Sequence, residues 1–152
     1  METLRVLVTR CDDKAELPVY AHDDDAGADL ATMSDITLAP GERAVVGTGL
    51  SVAIPTGYAG FVYPRSGLAA RAGLSMVNSP GVIDAGYRGE IRICLINTDQ
   101  VSPIHLQRGD LVAQIVVQPV ERALFVEAHS LPESDRGSGG YGSSGGVSAW
   151  DS

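Results

Sequence analysis

Near the carboxyl terminus, residues 136–146 combine one arginine and one aromatic ring with glycines and hydroxyl side chains. Arginine presents a planar fork of N–H donors that matches two phosphate oxygens. Ser143 and Ser144 add hydroxyls and consecutive backbone N–H groups, and Tyr141 can stack on a base, a contact worth about 1–3 kcal/mol. The alternative is a disordered tail, the usual meaning of this composition. We interpret the segment as a wrapper for a nucleoside triphosphate.

A second chemically dense segment spans residues 78–90, where turn residues are bounded by apolar strand residues on both sides. Asp84 stands there between Ile83 and Ala85. A carboxylate in partly apolar surroundings can act as a general base, a role worth about 100-fold to 10,000-fold in rate. A lone aspartate beside a glycine more often caps a turn, and the residues alone leave that alternative open.

Several other ligand sites are excluded by spacing. The terminal glycines lack the Gly-Lys-Ser/Thr sequence and the preceding strand of a Walker A loop. Residues 23–27 are not an EF-hand loop, because the glycine comes one place early and Ser34 stands where a glutamate is required. Cys11 and Cys94 form no CxxC pair, so we expect reduced thiols rather than a disulfide or a zinc site.

The charge of the chain limits its partners. A net charge of −8 argues against nonspecific nucleic-acid binding, which needs a basic field. An anionic ligand must therefore meet positive charge that is concentrated locally. With 152 residues, 44% of them hydrophobic, the chain fits one domain. No apolar stretch suits a signal peptide or a membrane span, so we expect a cytoplasmic protein with no membrane partner.

The elements that position these residues are mostly strands. Short runs rich in valine, isoleucine and leucine alternate with turn residues, which is typical of an antiparallel sandwich, barrel or jelly roll. We expect residues 108–110 to form a hairpin turn. The predicted strands are residues 4–9, 44–46, 50–54, 60–63, 91–97 and 111–117.

One short helix is predicted at Ser66–Ala72, with Ser66 as its N-cap and Gly73 as its end. The free N–H groups of its first turn favour an anion. After about residue 130 the residues that could fill a core disappear. We therefore predict a catalytic β-barrel domain of residues 1–130 and a flexible arm of residues 131–152.

Five segments in order resemble the five motifs of the trimeric deoxyuridine triphosphatases (dUTPases). The match covers nearly the whole chain, and five motifs in order with short intervals make an accidental match very unlikely. These segments are residues 26–30, 64–69, 78–90, 108–114 and 136–145.

The resemblance implies an all-β, jelly-roll-like barrel that assembles as a homotrimer, with active sites between subunits. Its substrate would be dUTP, hydrolysed with Mg²⁺ to dUMP and pyrophosphate, which lowers dUTP and supplies dUMP for thymidylate synthesis. By the same resemblance, Asp84 would activate the water that attacks the α-phosphorus. Asp29 would hold the metal through its hydration shell.

The resemblance also assigns the substrate contacts. Asn78 and the backbone of residues 81–83 would bind the uracil edge, and Tyr87 would cover the deoxyribose so that no ribose 2′-hydroxyl fits. In the arm, Tyr141 would stack on uracil, where the family commonly has phenylalanine. The phosphate-binding residues would be Arg65, Ser66, Gly67, Gln114, Arg136, Ser143 and Ser144. Gly142 would be a further substrate-binding residue of the arm, and the backbone contacts to uracil would come from Gly81, Val82 and Ile83.

Purely structural roles remain possible for single residues. Taken alone, Arg65 fits a surface salt bridge, and Gln114 fits an inward-facing polar side chain of a strand. Two other functions also remain. A dCTP deaminase of the same fold would release ammonia, and a non-catalytic nucleotide sensor would turn over nothing.

Overall fold

The structure, a computed structural model, describes residues 3–150. It contains two compact units, Met1–Arg122 and Ala123–Ser152. Along residues 3–150, no helix reaches the length and apolarity needed to cross a membrane. The elements of the first unit are β1 (Leu7–Arg10), β2 (Ala28–Ala31), β3 (Ile36–Leu38), β4 (Arg43–Ala53), β5 (Tyr58–Tyr63), α1 (Ser66–Ala72), β6 (Leu74–Met76), β7 (Gly81–Ile83), β8 (Glu90–Asn97), β9 (Ile104–Leu106) and β10 (Leu111–Pro119).

The strands of the first unit form three sheets. Two four-stranded sheets have the orders β1-β4-β8-β6 and β2-β10-β5-β7, and β3 pairs with β9. Each of these strand pairs is antiparallel. The predicted all-β, jelly-roll-like fold is confirmed.

A single hydrophobic core holds these sheets together. β8 shows how the sequence builds it, because its residues alternate between the core and the outer face. Ile91, Ile93 and Leu95 are completely buried, and each such side chain stabilises the fold by about 1.5–3 kcal/mol. The core therefore fixes the register of β8 and of the strands paired with it.

Strand β4 differs from its prediction. Residues 44–46 and 50–54 were expected to be separate strands, but 44–46 and 50–53 belong to one strand whose register shifts between Gly47 and Ser51, and Ile54 lies just past its end. Gly49 has φ +70°, and a Cβ there would lie 2.7 Å from the Cβ of Ala15. A glycine-marked β-bulge therefore resembled a strand end in the sequence.

Helix α1 has the predicted bounds, but Ser66 is its first helical residue rather than its cap. Arg65 occupies the N-cap position with extended backbone and makes no capping side-chain bond. Gly73 ends the helix with φ +72°, as predicted. The turn at residues 108–110 also differs from prediction: it joins β9 to β10, which pair with other strands, so it is not a hairpin.

The second unit is built from tight turns rather than from strands. Its backbone hydrogen bonds connect residues three apart, such as Gly137 N–H to Ser134 O and Ser143 N–H to Gly140 O, both 3.1 Å. A short 3-10 helix, Ser148–Trp150, follows. The arm predicted for residues 131–152 lies within this unit, apart from Asp151 and Ser152, which fall outside the described residues.

Candidate active site

The sheet β2-β10-β5-β7 carries the predicted site residues of the first unit, because its register places distant segments side by side. Gln114 of β10 lies opposite Asp29 of β2 and opposite Tyr63 of β5. β5 continues directly into Pro64 and Arg65. Three motifs that are far apart in sequence therefore meet at this point of the sheet.

These residues line a cavity of about 560 Å³, which we call the Arg65 pocket. Arg65 Nε lies 3.0 Å from Asp29 Oδ1, and Arg65 Nη1 donates to the Leu111 carbonyl over 3.1 Å. Gln114 Nε2 donates to the Pro64 carbonyl over 2.9 Å. The pocket is lined by Ala21, His22, Asp25, Ala26, Gly27, Asp29, Arg65, Ser66, Gly67, Leu68, Arg71 and Gln114.

Arg65 does form an ion pair, with Asp29, as the alternative role of a surface salt bridge predicted for it. Yet the pair is not an ordinary surface bridge, since the Asp29 side chain is only 16% exposed and both residues line the cavity. Arg65 is thereby held by two contacts, while its Nη2 group has no hydrogen-bond partner among residues 3–150. The guanidinium is oriented and still has N–H groups to offer an anion.

The absence of a side chain at Gly27 leaves room for the side chain of Gln114. A Cβ at Gly27 would collide with the side-chain amide of Gln114, whose Cδ would be only 2.9 Å away. Ser66 and Gly67 begin α1 and are exposed, and nothing would crowd a Cβ at Gly67. This side of the pocket is therefore polar and open.

A second cavity, about 220 Å³, forms around the segment of residues 78–90; we call it the Asp84 pocket. Among the strands of residues 3–150, β7 lies at the edge of its sheet and pairs only with β5, so its other edge carries backbone groups that the sheet does not use. The lining residues are Val62, Met76, Asn78, Gly81, Val82, Ile83, Asp84, Tyr87, Glu90 and Arg92.

Asp84 follows β7 immediately and is exposed. Its backbone carbonyl accepts the Tyr87 N–H over 3.0 Å, which closes the turn. Its carboxylate makes no hydrogen bond or ion pair within the described part of the chain. The side chain therefore does not cap the turn, and both carboxylate oxygens are free to accept a proton from water.

The Arg65 pocket and the Asp84 pocket share no residue. Their separation follows from the antiparallel pairing of β5 with β7, in which Gly60 lies opposite Ile83. Asp84 is thus level with Ala59, six residues before Arg65. At the rise of a β-strand this corresponds to about 20 Å. One chain brings the site residues together in two groups and keeps the groups apart.

The arm residues form a third group inside the second unit. Arg136 Nε donates to the Gly139 carbonyl over 2.7 Å. A Cβ at Gly139 would lie 3.1 Å from Ser143 Oγ, so Arg136 and Ser143 are close to the same glycine. Tyr141 is fully exposed with φ +48°, and Gly142 and Ser144 belong to the same run of turns.

Sequence reasoning missed some lining residues. Arg71 lines the Arg65 pocket and has no partner within residues 3–150; its position four residues after Gly67 on one helix face was a usable signal. His22 and Asp25 line the same pocket, with His22 Nδ1 3.1 Å from Asp25 Oδ2. Nothing in the sequence distinguished that pair from other surface residues.

Comparisons with known proteins show the family of this chain. The dUTPase family model matches residues 13–145. The chain belongs to the dUTPase family. This membership confirms the family, and with it the enzyme class, that the five motifs predict.

Individual relatives of the dUTPase family extend the likeness. The deoxyuridine 5′-triphosphate nucleotidohydrolase of Thermobifida fusca is 59% identical over 97% of this chain and 82% of its own length. A solved structure of the Staphylococcus bacteriophage 80alpha dUTPase with dUpNHpp has a TM-score of 0.87 and 28% identity, covering 94% of this chain and 99% of that one. A mutant dUTPase structure from phage phi11 of S. aureus, described as showing the coordination of a structural Mg(II) ion, has a TM-score of 0.79 and 26% identity over 86% of this chain and 100% of its own.

Proposed function

We propose that this dUTPase-family chain is a dUTP diphosphatase that hydrolyses dUTP to dUMP and pyrophosphate, which lowers dUTP and supplies dUMP for thymidylate synthesis. The observation that carries the proposal is that the two pockets offer different chemical groups. The Arg65 pocket offers cationic and amide donors suited to phosphates. The Asp84 pocket offers a strand edge suited to a base, beside a carboxylate that makes no hydrogen bond or ion pair within residues 3–150.

The Asp84 pocket supports recognition of uracil by hydrogen-bond polarity. Asn78 and the free edge of Gly81, Val82 and Ile83 provide donors and acceptors to one edge of the base. Cytosine presents a donor where uracil has its O4 acceptor and lacks the N3 hydrogen, so it would leave polar groups unpaired. Such mismatches discriminate far more strongly than differences of one methylene. Tyr87 would cover the deoxyribose.

In the reaction, the Asp84 carboxylate takes a proton from a water molecule as the water oxygen bonds to the α-phosphorus. The bond from that phosphorus to the bridging oxygen breaks, and pyrophosphate leaves. Arg65, Ser66, Gly67 and Gln114 hold the leaving phosphates, whose negative charge grows in the transition state. The hydrogen bonds that already orient Arg65 and Gln114 reduce the cost of that positioning.

The residues fit a magnesium ion that arrives with substrate. Residues 3–150 contain no group of three or more histidine, cysteine or acidic side chains suited to a resident metal. Mg²⁺ is commonly held by one or two carboxylates together with substrate phosphates and retained waters. Asp29 lines the Arg65 pocket and uses only Oδ1 in its ion pair, so it would hold the ion through water. Bound Mg²⁺ supplies charge neutralisation and alignment of the leaving group.

Two observations support a homotrimer with shared sites. The base and the phosphate-binding residues must serve phosphates joined by a single bridging oxygen, yet one chain separates them by about 20 Å along the strands. Leu124, Phe125 and Val126 are also 87%, 93% and 76% exposed, an apolar run that a neighbouring chain would cover. We infer that one subunit supplies the Asp84 pocket, a second the Arg65 pocket, and an arm closes over both.

Product analysis tests the reaction. With dUTP and Mg²⁺ we expect equal amounts of dUMP and pyrophosphate, little turnover after chelation by EDTA, and little turnover of dCTP. Ammonia released from dCTP would replace this proposal with the deaminase, and binding of dUTP without turnover would replace it with the nucleotide sensor. A cytoplasmic location remains a prediction from sequence.

Subunit mixing tests the shared site. Asp84→Asn and Arg65→Ala each damage every site of a homotrimer. Random mixed trimers should nevertheless contain about one quarter of sites in which both contributing chains are intact at the relevant position. Recovery of about one quarter of wild-type activity is expected. If subunit exchange is demonstrated by mass spectrometry and no activity returns, both pockets serve one site in the same chain.

A further inference from the structure

The turn after β7 holds the Tyr87 ring by two contacts. Tyr87 Oη donates to the Glu90 backbone carbonyl over 2.8 Å. The ring also lies against Gly89, where a Cβ would be 2.5 Å from Oη, 2.7 Å from Cζ and 3.1 Å from Cε2. In real structures, Cβ atoms essentially never lie within 3.0 Å of a non-bonded heavy atom of another residue. The ring therefore occupies the space that any side chain at position 89 would need.

Gly89 is not held in the left-handed region of φ, so a positive φ angle is not the reason for glycine at this position. Gly86, three residues earlier in the same turn, also lies outside that region, and no atom of the described residues lies within 4 Å of the place its Cβ would take. The two glycines therefore differ in their surroundings: a side chain would meet the Tyr87 ring at position 89 and open space at position 86.

We propose that Gly89 is a positioning residue for sugar selectivity: its missing side chain lets Tyr87 lie where it excludes a ribose 2′-hydroxyl. This inference rests on the proposed function, in which Tyr87 covers the deoxyribose. It assigns part of the discrimination between dUTP and UTP to a residue that acts through the Tyr87 ring.

The ring, rather than the fold, should give way when position 89 is filled. Tyr87 is 42% exposed, and the atoms closest to the place of a Cβ at position 89 belong to the outer end of the Tyr87 side chain. Gly89→Ala should therefore move the ring and lose the hydrogen bond to Glu90 while the sheet keeps its structure. Displacement by about 1 Å from a productive position can cost on the order of 100-fold in rate.

The test compares kcat/KM for dUTP and for UTP in five proteins: wild type, Gly89→Ala, Gly86→Ala, Tyr87→Ala and the Tyr87→Ala/Gly89→Ala double variant. We expect Gly89→Ala to reduce the ratio of kcat/KM for dUTP to kcat/KM for UTP at least about tenfold. Gly86→Ala should keep the wild-type ratio. In the Tyr87→Ala background, Gly89→Ala should have no additional effect, since the contact is already gone.

Melting temperatures of the five proteins show whether each variant folds. The inference is overturned if Gly89→Ala keeps the wild-type ratio, if its effect persists undiminished without the Tyr87 ring, or if it fails to fold. A Tyr87→Ala protein that retains full sugar selectivity would instead overturn the role of Tyr87 in the proposed function. Loss of selectivity in Tyr87→Ala but not in Gly89→Ala rejects the positioning role alone.

Discussion

The two units of this chain solve different physical problems. In Met1–Arg122, strands paired across long sequence distances enclose a core, and Ile91, Ile93 and Leu95 are completely buried. In Ala123–Ser152, the described backbone hydrogen bonds join residues three apart, and side chains such as Phe125 and Tyr141 are exposed. The first unit can hold chemical groups in fixed positions, whereas the second can change its conformation at little cost.

This difference suggests why the proposed catalytic parts are distributed as they are. Asp84 directly follows β7, and Arg65 follows β5 after the single residue Pro64, so the sheet fixes both before substrate arrives. Arg136 and Tyr141 lie in a unit of turns, which suits groups that must admit a nucleotide and release products. Changes in the first unit should therefore affect chemistry or folding, and changes in the second should affect substrate capture.

The largest effect is expected from Asp84→Asn. The amide cannot take the proton from water, so kcat should fall by about 100-fold to 10,000-fold. Binding of dUTP, measured by isothermal titration with Mg²⁺, should be retained because the phosphate-binding residues are intact. Turnover at the wild-type rate would rule out Asp84 as the base, and loss of binding instead of turnover would make it a substrate-binding residue.

Truncation after Asp135 should give the next largest effect. The deletion removes the turns that contain Arg136 and Tyr141 but no residue of the hydrophobic core. We expect kcat/KM for dUTP to fall on the order of 100-fold, with an unchanged melting temperature without nucleotide. A truncated protein as active as the full chain would show that the arm does not close the site. A large fall in melting temperature would show that the arm stabilises the fold.

The same contrast explains what could be predicted from sequence. The long strands β8 and β10 and helix α1 were predictable because their patterns are local and periodic. The short strands β2 and β7 were missed, since three or four residues such as 81–83 carry no clear period. Their strand character comes from pairing with β10 and β5, which the sequence does not display.

For the candidate site, the family motifs name residues but not their arrangement. The family motifs pointed to Asp29, Arg65, Asp84 and Gln114 before any geometry was available. They did not predict that Asp29 pairs with Arg65, or that Asp84 lies in a separate pocket. Both features depend on register across the sheet, a long-range property that no local pattern records.

A smaller effect is expected from Tyr141→Ala in the arm. Loss of one stacking contact of about 1–3 kcal/mol corresponds to an increase in KM for dUTP of about 5-fold to 150-fold. Tyr141→Phe is the matched control, because it keeps the ring and removes only the hydroxyl, and should behave like wild type. If the alanine and phenylalanine variants are equally impaired, the hydroxyl rather than stacking is what matters.

The smallest effect concerns acid stability, which should belong to the first unit alone. The Lys14 backbone N–H, with help from the Arg108 guanidinium, holds the pKa of Asp12 below its ordinary value, although burial opposes this. The backbone N–H groups of Ser102 and Val101 likewise lower the pKa of Asp99. Both carboxylates therefore bind fewer protons in the folded chain than in the unfolded chain.

A carboxylate of this kind stabilises the fold fully above the unfolded pKa of about 3.9, and that stabilisation is lost as the pH falls through the lower folded pKa. Asp12→Asn and Asp99→Asn should therefore flatten the fall in melting temperature below about pH 4, while kcat/KM at neutral pH stays unchanged. Salt should reduce the effect of Asp12, which depends partly on the charge of Arg108, more than the effect of Asp99, whose carboxylate accepts from uncharged backbone N–H groups. A neutral-pH loss of activity in either variant would mean that stability and catalysis are coupled within the first unit.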